Sequence, residues 1–136
     1  MIDIDIARRL REAGLPWTPA DGDLFVIDNA QLRDETFMLS SMVVESGTSR
    51  GDRPEFRFNG TTEWALDSVE QREALWIPRE DQLREALGDA FLSLHRLPDG
   101  TFCVTLRCAD GTTREVLAPQ SEDALSGALL VLLTEV

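Results

Sequence analysis

Apolar residues first recur at helical spacing near the start of the chain. Ile6, Leu10 and Ala13 there share one side of a segment otherwise rich in Arg and acid. Asp3 or Asp5 is placed to cap this helix, and Gly14 to stop it. The next stretch, Leu15-Pro16-Trp17-Thr18-Pro19, cannot continue a helix, because each proline restricts its own backbone and that of the residue before it. Trp17 is expected to pin this extended connection to the core. Beyond the Asp21-Gly22 turn, Leu24-Phe25-Val26-Ile27 is short and strongly β-prone. A second strand is expected from about Thr36 to Glu45. A third is expected over Glu55-Phe56-Arg57-Phe58, where apolar and polar residues alternate. The polar stretch 46–53 joins them as a hairpin loop, and Asn59-Gly60 ends the third strand.

From Thr61 to Leu75 no single period holds, and one or two short helical turns fit the pattern. A clearer helix follows, with Pro78 at its start, Leu83, Ala86 and Leu87 on its face and Gly88 at its end. Glu80 and Arg84 are spaced as an i,i+4 pair. Three strands come next, Phe91–Leu97, Thr101–Arg107 and Thr112–Ala118, separated by Asp99-Gly100 and Asp110-Gly111. Such spacing predicts an antiparallel meander. Ser121 is the expected N-cap of a last helix, with Glu122 and Asp123 favourably placed in its first turn. This helix is apolar on every side from Ala128 to Leu133, so the sheet can cover only one of its faces. The other cover is a second helix of the chain or a second copy, which makes this helix a candidate homodimer surface.

The pattern predicts an α+β fold in the order αβββαβββα. An antiparallel sheet of about six strands, ending in a C-terminal three-strand meander, carries helices packed on one face. With 136 residues, of which 43% are hydrophobic, a single α+β domain over 1–136 is expected.

Charge narrows the function classes. Twenty-five acidic residues against thirteen basic ones give a formal net charge of −12, a field that repels nucleic-acid phosphates and anionic lipid. Neither nucleic acid nor membrane is an expected partner. The longest apolar run is far shorter than the roughly 20 residues that span a bilayer. The acidic N-terminus lacks the pattern of a signal peptide, so a cytoplasmic location is expected. Cys103 and Cys108 fall an odd number of positions apart, on opposite faces of a strand, which fits reduced and unbridged thiols.

Catalytic motifs are few. There is one His, no Lys, no GxSxG elbow, no phosphate-binding Gly-rich loop, no CxxC and no HExxH. His95 sits in a strand pattern with Phe91, Ser93 and Leu97 on one face, and a partly exposed strand residue is the expected role. The carboxylate groups Asp21, Asp23 and Asp28, and Glu63, Asp67 and Glu70, have the chemistry of a carboxylate-based hydrolase, but so many acidic residues cluster readily on a solvated surface. No catalytic residue, metal or cofactor is expected. An acidic immunity or inhibitor protein with a basic partner is a further alternative.

The leading expectation is a non-catalytic protein-binding or adaptor module. Its expected contact surface is either the apolar C-terminal helix or, because Trp is a strong interface anchor, Asn59, Glu63, Trp64, Asp67 and Trp76. At this surface the sequence also resembles a known family. The segment Phe58-Asn59-Gly60-Thr61-Thr62-Glu63-Trp64-Ala65-Leu66-Asp67-Ser68-Val69-Glu70 carries the likeness, followed by Trp76-Ile77-Pro78-Arg79-Glu80-Asp81-Gln82-Leu83. The opening Ala7-Arg8-Arg9-Leu10-Arg11-Glu12-Ala13-Gly14-Leu15, with Trp17, extends it over most of the chain. Together these resemble a family of small acidic actinobacterial proteins often labelled as pilus-assembly proteins. An Arg-only basic set suits the GC-rich genome this implies. The pilus-assembly protein of that name is a larger ATPase that needs a Walker-type loop and its Lys. Without either, the role implied here is accessory to pilus or secretion assembly. The resemblance supplies no catalytic residue.

Overall fold

The computed structural model describes residues 1–29, 32–39, 55–56, 69–70 and 73–135. Within them the chain forms two compact units, one of residues 1–16 with 78–136 and one of residues 17–77.

The central unit is built on an antiparallel sheet. Strand β1 (Leu24–Ile27) pairs on one side with β2 (Thr36–Met38) and on the other with β5 (Ala74–Ile77). A separate short pairing joins β3 (Glu55–Phe56) to β4 (Val69–Glu70), Phe56 opposite Val69. Phe25, Ile27, Leu39 and Ala74 form the buried core, with Trp17, Leu32 and Phe37 packed on it. Trp17 thus holds its proline-bounded segment to the core as expected. Its ring lies 6.2 Å from that of Phe25 and is stacked on Trp76. Phe25 also stacks on Phe37, 5.6 Å away.

Strand β2 has the expected start, and residues 40–54, including the expected hairpin loop, lie outside the described residues. Between Thr61 and Leu75 the described residues are β4, Glu73 in 3-10 conformation and the start of β5; the rest of the stretch where short helical turns are expected lies outside the described residues. Ala74-Leu75-Trp76-Ile77 is apolar at four successive positions, and Ala74, Leu75 and Ile77 are all buried. A strand buried on both faces shows no alternation, which is why its period could not be read from the sequence.

The other unit begins with α1 (Ile4–Glu12), ended by Gly14 at φ 100°. Asp3 holds the N-cap position but makes no side-chain cap, and Asp5 pairs instead with Arg8 at 2.8 Å. Helix α2 (Glu80–Leu87) buries Leu83 and Leu87 and leaves Ala86 exposed. Its N-cap residue is Arg79, one position after Pro78, and the Arg79 amide donates to Gln82 Oε1 at 2.9 Å. Gly88 ends α2 at φ 56° and opens a 3-10 turn over Gly88–Ala90.

The meander is as expected. Strands β6 (Phe91–Arg96), β7 (Phe102–Arg107) and β8 (Thr113–Ala118) pair antiparallel in that order. Both hairpins are closed by the same device. Asp99 Oδ1 accepts the Thr101 amide at 2.8 Å, and Asp110 Oδ1 accepts the Thr112 amide at 3.0 Å and its hydroxyl at 2.6 Å. Gly100 and Gly111 adopt φ of 91° and 86°, where a side chain would be strained.

Helix α3 (Ser121–Thr134) packs on β7 and β8 and against α1 and α2. The chain is therefore α+β, and among the described residues its strands are divided between two three-stranded sheets and one short pair. Gln120 rather than Ser121 holds the α3 N-cap, because the Ser121 hydroxyl donates to Glu80 Oε2 at 3.0 Å and ties α3 to the first turn of α2. At the far end Glu135 Oε2 accepts the Ala109 amide at 3.0 Å, which joins α3 to the second hairpin. No helix among the described residues is long and apolar enough to cross a membrane.

Candidate functional site

Among the described residues, the carboxylates of the first group have different surroundings. Asp23 is buried, and its Oδ2 accepts the Trp17 Nε1–H at 2.8 Å and the Ala20 amide at 3.0 Å. Asp28 pairs with Arg33 at 3.6 Å, and Asp21 is exposed. This carboxylate group is thus spread over a structural latch, a surface ion pair and open solvent. Of the second group, Glu63 and Asp67 lie outside the described residues.

On the meander, the register shifts between Phe91 and Ser93. Phe91 lies opposite Leu106, Ser93 opposite Thr105, and Leu92 is the extra residue of a bulge. The bulge moves Phe91 off the face that Ser93 and His95 share, where simple alternation had put it. His95 is exposed and lies opposite Cys103, with Leu117 on the far side of Cys103. Both cysteines are free and buried, as the odd spacing implied. Cys103 Sγ donates to Glu115 Oε2 at 3.5 Å. Burial, and then the Glu115 carboxylate, push its thiol above the ordinary value, while burial and Glu135 do the same to Cys108. A thiol whose pKa is raised forms less thiolate and is a weaker nucleophile. Among the described residues no three His, Cys, Asp or Glu side chains are grouped to hold a metal ion.

Of the expected contact residues, Asn59, Glu63, Trp64 and Asp67 lie outside the described residues. Trp76 is half-buried, and stacking on Trp17 occupies one of its faces. Its Nε1–H is buried without an acceptor among the described residues.

A concave surface lies elsewhere, between α1 and α3 in the unit that carries the meander. It is a groove of about 590 Å³ whose apolar lining is Ile6 and Ala13 from α1 with Gly127, Leu130 and Val131 from α3. Ile6 and Ala13 belong to the helical stripe read from the sequence. The core of α1 is in fact made by Ala7 and Leu10, with Ile2 also buried before the helix begins. Ile6 and Ala13, half-buried, are turned to the groove instead. Leu130 and Val131 come from the all-round apolar run of α3. That helix buries Ala124, Leu125, Ala128 and Leu129 and leaves Leu130 to Leu133 half-covered.

Arg9 and Glu12 charge the α1 wall, and Asp123 charges the α3 wall. None of these three forms an ion pair among the described residues. The two walls are held by the Met1 amine, which pairs with Glu122 at 2.8 Å in the first turn of α3. The sequence signal for this groove was the excess apolar width of α3, which named a surface without giving its other wall. No protein-family model, no curated protein and no solved structure matches the chain.

Proposed function

We propose that this chain is a non-catalytic binding module whose α1–α3 groove receives an apolar segment of a protein partner. One observation carries the reading: Leu130, Val131, Ile6 and Ala13 converge on a groove of about 590 Å³ and stay half-exposed there. Half-covered aliphatic side chains between two helices gain free energy when a third apolar element covers them, at about 25 cal/mol per Å² of apolar surface removed from water. The engagement of Asp23 in a structural latch and the raised pKa of both buried thiols favour binding over turnover. An accessory role in pilus or secretion assembly, as implied by the sequence resemblance, is compatible with such a module.

Site-specific photo-crosslinking in the native host tests this. A crosslinker at Val131 should trap a discrete partner, and one at Thr113, on the exposed strand β8, should not. Equal trapping at both positions, or none at Val131, would sink the groove as the binding surface.

A further inference from the structure

Resting on that reading, we infer that the occupant of the α1–α3 groove is an amphipathic helix with a cationic polar face. A groove between two helices with apolar side chains on both walls is the kind of surface into which a third helix lays its apolar stripe, read as anchors at i, i+3, i+4 and i+7. Each wall then ends in a carboxylate, Glu12 on α1 and Asp123 on α3, neither of them in an ion pair among the described residues. A helix seated between these walls passes its flanking polar residues beside both, and Lys or Arg at those positions is complementary. Arg9 is the only cation of the lining, so two carboxylates face one guanidinium.

Charge also decides among other occupants. A second copy would set Glu12 and Asp123 against their own equivalents and add a second chain of net charge −12, since a two-fold interface sets identical surfaces against each other. An anionic peptide meets the same long-range repulsion. A cationic helix is drawn in by that field, which raises its association rate and makes binding fall as salt rises.

Three dye-labelled helical peptides with one Leu face and a polar face of Lys, Gln or Glu separate the alternatives by fluorescence anisotropy. The Lys peptide should bind in a salt-dependent way, the Gln peptide more weakly and the Glu peptide not at all. Glu12→Gln and Asp123→Asn should each weaken the Lys peptide about two- to fivefold, as rim ion pairs do. Arg9→Gln should tighten it. Leu130→Asp, checked for folding by circular dichroism, should weaken it at least about tenfold, the scale of a lost apolar anchor.

Equal binding of the Lys and Gln peptides, both lost in Leu130→Asp, would leave the groove as a docking site and overturn its cationic occupant. Binding of the Lys peptide unchanged by folded Leu130→Asp would overturn both, because attraction to an acidic surface alone would then explain it. Should Leu130→Asp not fold, the Glu12, Asp123 and Arg9 variants decide. Affinities indifferent to all three overturn the inference.

Discussion

The indole of Trp17 lies parallel to that of Trp76, their planes 6° apart and their centroids separated by 6.1 Å. Offset stacking of this kind is worth about 0.5–1.5 kcal/mol beyond the area it buries. Here it fastens Trp17, which lies between two prolines, to strand β5. The stack is held in turn by Asp23, whose Oδ2 takes both the Trp17 Nε1–H and the Ala20 amide.

Asp23→Ala should therefore be costly. It leaves two donors beside a buried site without that acceptor, each at about 1–3 kcal/mol, so a loss of about 2–6 kcal/mol is expected. Asp23→Asn keeps one acceptor oxygen and should lose about half as much. Urea unfolding followed by circular dichroism measures both. Equal stability of Asp23→Ala and wild type would show that the latch contributes nothing.

The sequence showed most clearly the elements whose signals are local. The two Asp-Gly turns placed the meander because Gly alone accepts the backbone of Gly100 and Gly111, and because the neighbouring Asp closes each turn on the Thr that follows. Gly14 and Gly88 likewise marked two helix ends. Signals that depend on partners far along the chain were harder to read. Strand β5 has no alternation because both its faces are buried. The bulge at Leu92 is invisible without the register of β7. The groove needed the knowledge that α1 lies beside α3, and nothing in Ile6 or Ala13 separates a groove wall from a core stripe.

Ser126 offers a stabilising substitution. Its hydroxyl is fully buried in α3 and has no hydrogen-bond partner among the described residues. Ser126→Ala removes the unmet desolvation cost and improves helix propensity, for a gain of about 1 kcal/mol. Thermal unfolding should shift up by about 3–4 °C. A lower midpoint would mean that the hydroxyl has an acceptor in solution.

Gly127 permits α3 to approach the sheet. A Cβ added there would stand 2.8 Å from Val116 Cγ1, closer than real contacts allow. Val116 is β-branched and cannot readily swing away. Gly127→Ala gains about 1 kcal/mol of helix propensity but overpacks at a cost of about 1–3 kcal/mol, so net destabilisation is expected. In a Val116→Ala background the clash disappears and the same change should stabilise. A double-mutant cycle tests this reversal of sign. Additive effects would mean that the helix and sheet do not meet at this pair.

The two hairpin aspartates give the fold an acid limb. At Asp99 the Thr101 amide, and then its hydroxyl, hold the carboxyl below the ordinary 3.8; at Asp110 the Thr112 hydroxyl, and then its amide, do the same. A carboxyl depressed in the folded state contributes stability that is complete above its unfolded value and fades as pH falls through the folded one. The buried thiols work at the opposite end. Raised above the ordinary 9.0 by burial, Cys103 and Cys108 add stability below that value and lose it as pH climbs through their folded values. Asp99→Asn with Asp110→Asn keeps an acceptor oxygen in each turn but removes both titrations. Urea midpoints measured downward from neutral pH should fall less steeply in this double variant than in wild type, with the alkaline limbs unchanged. Superimposable acid limbs would assign the acid sensitivity to other carboxylates.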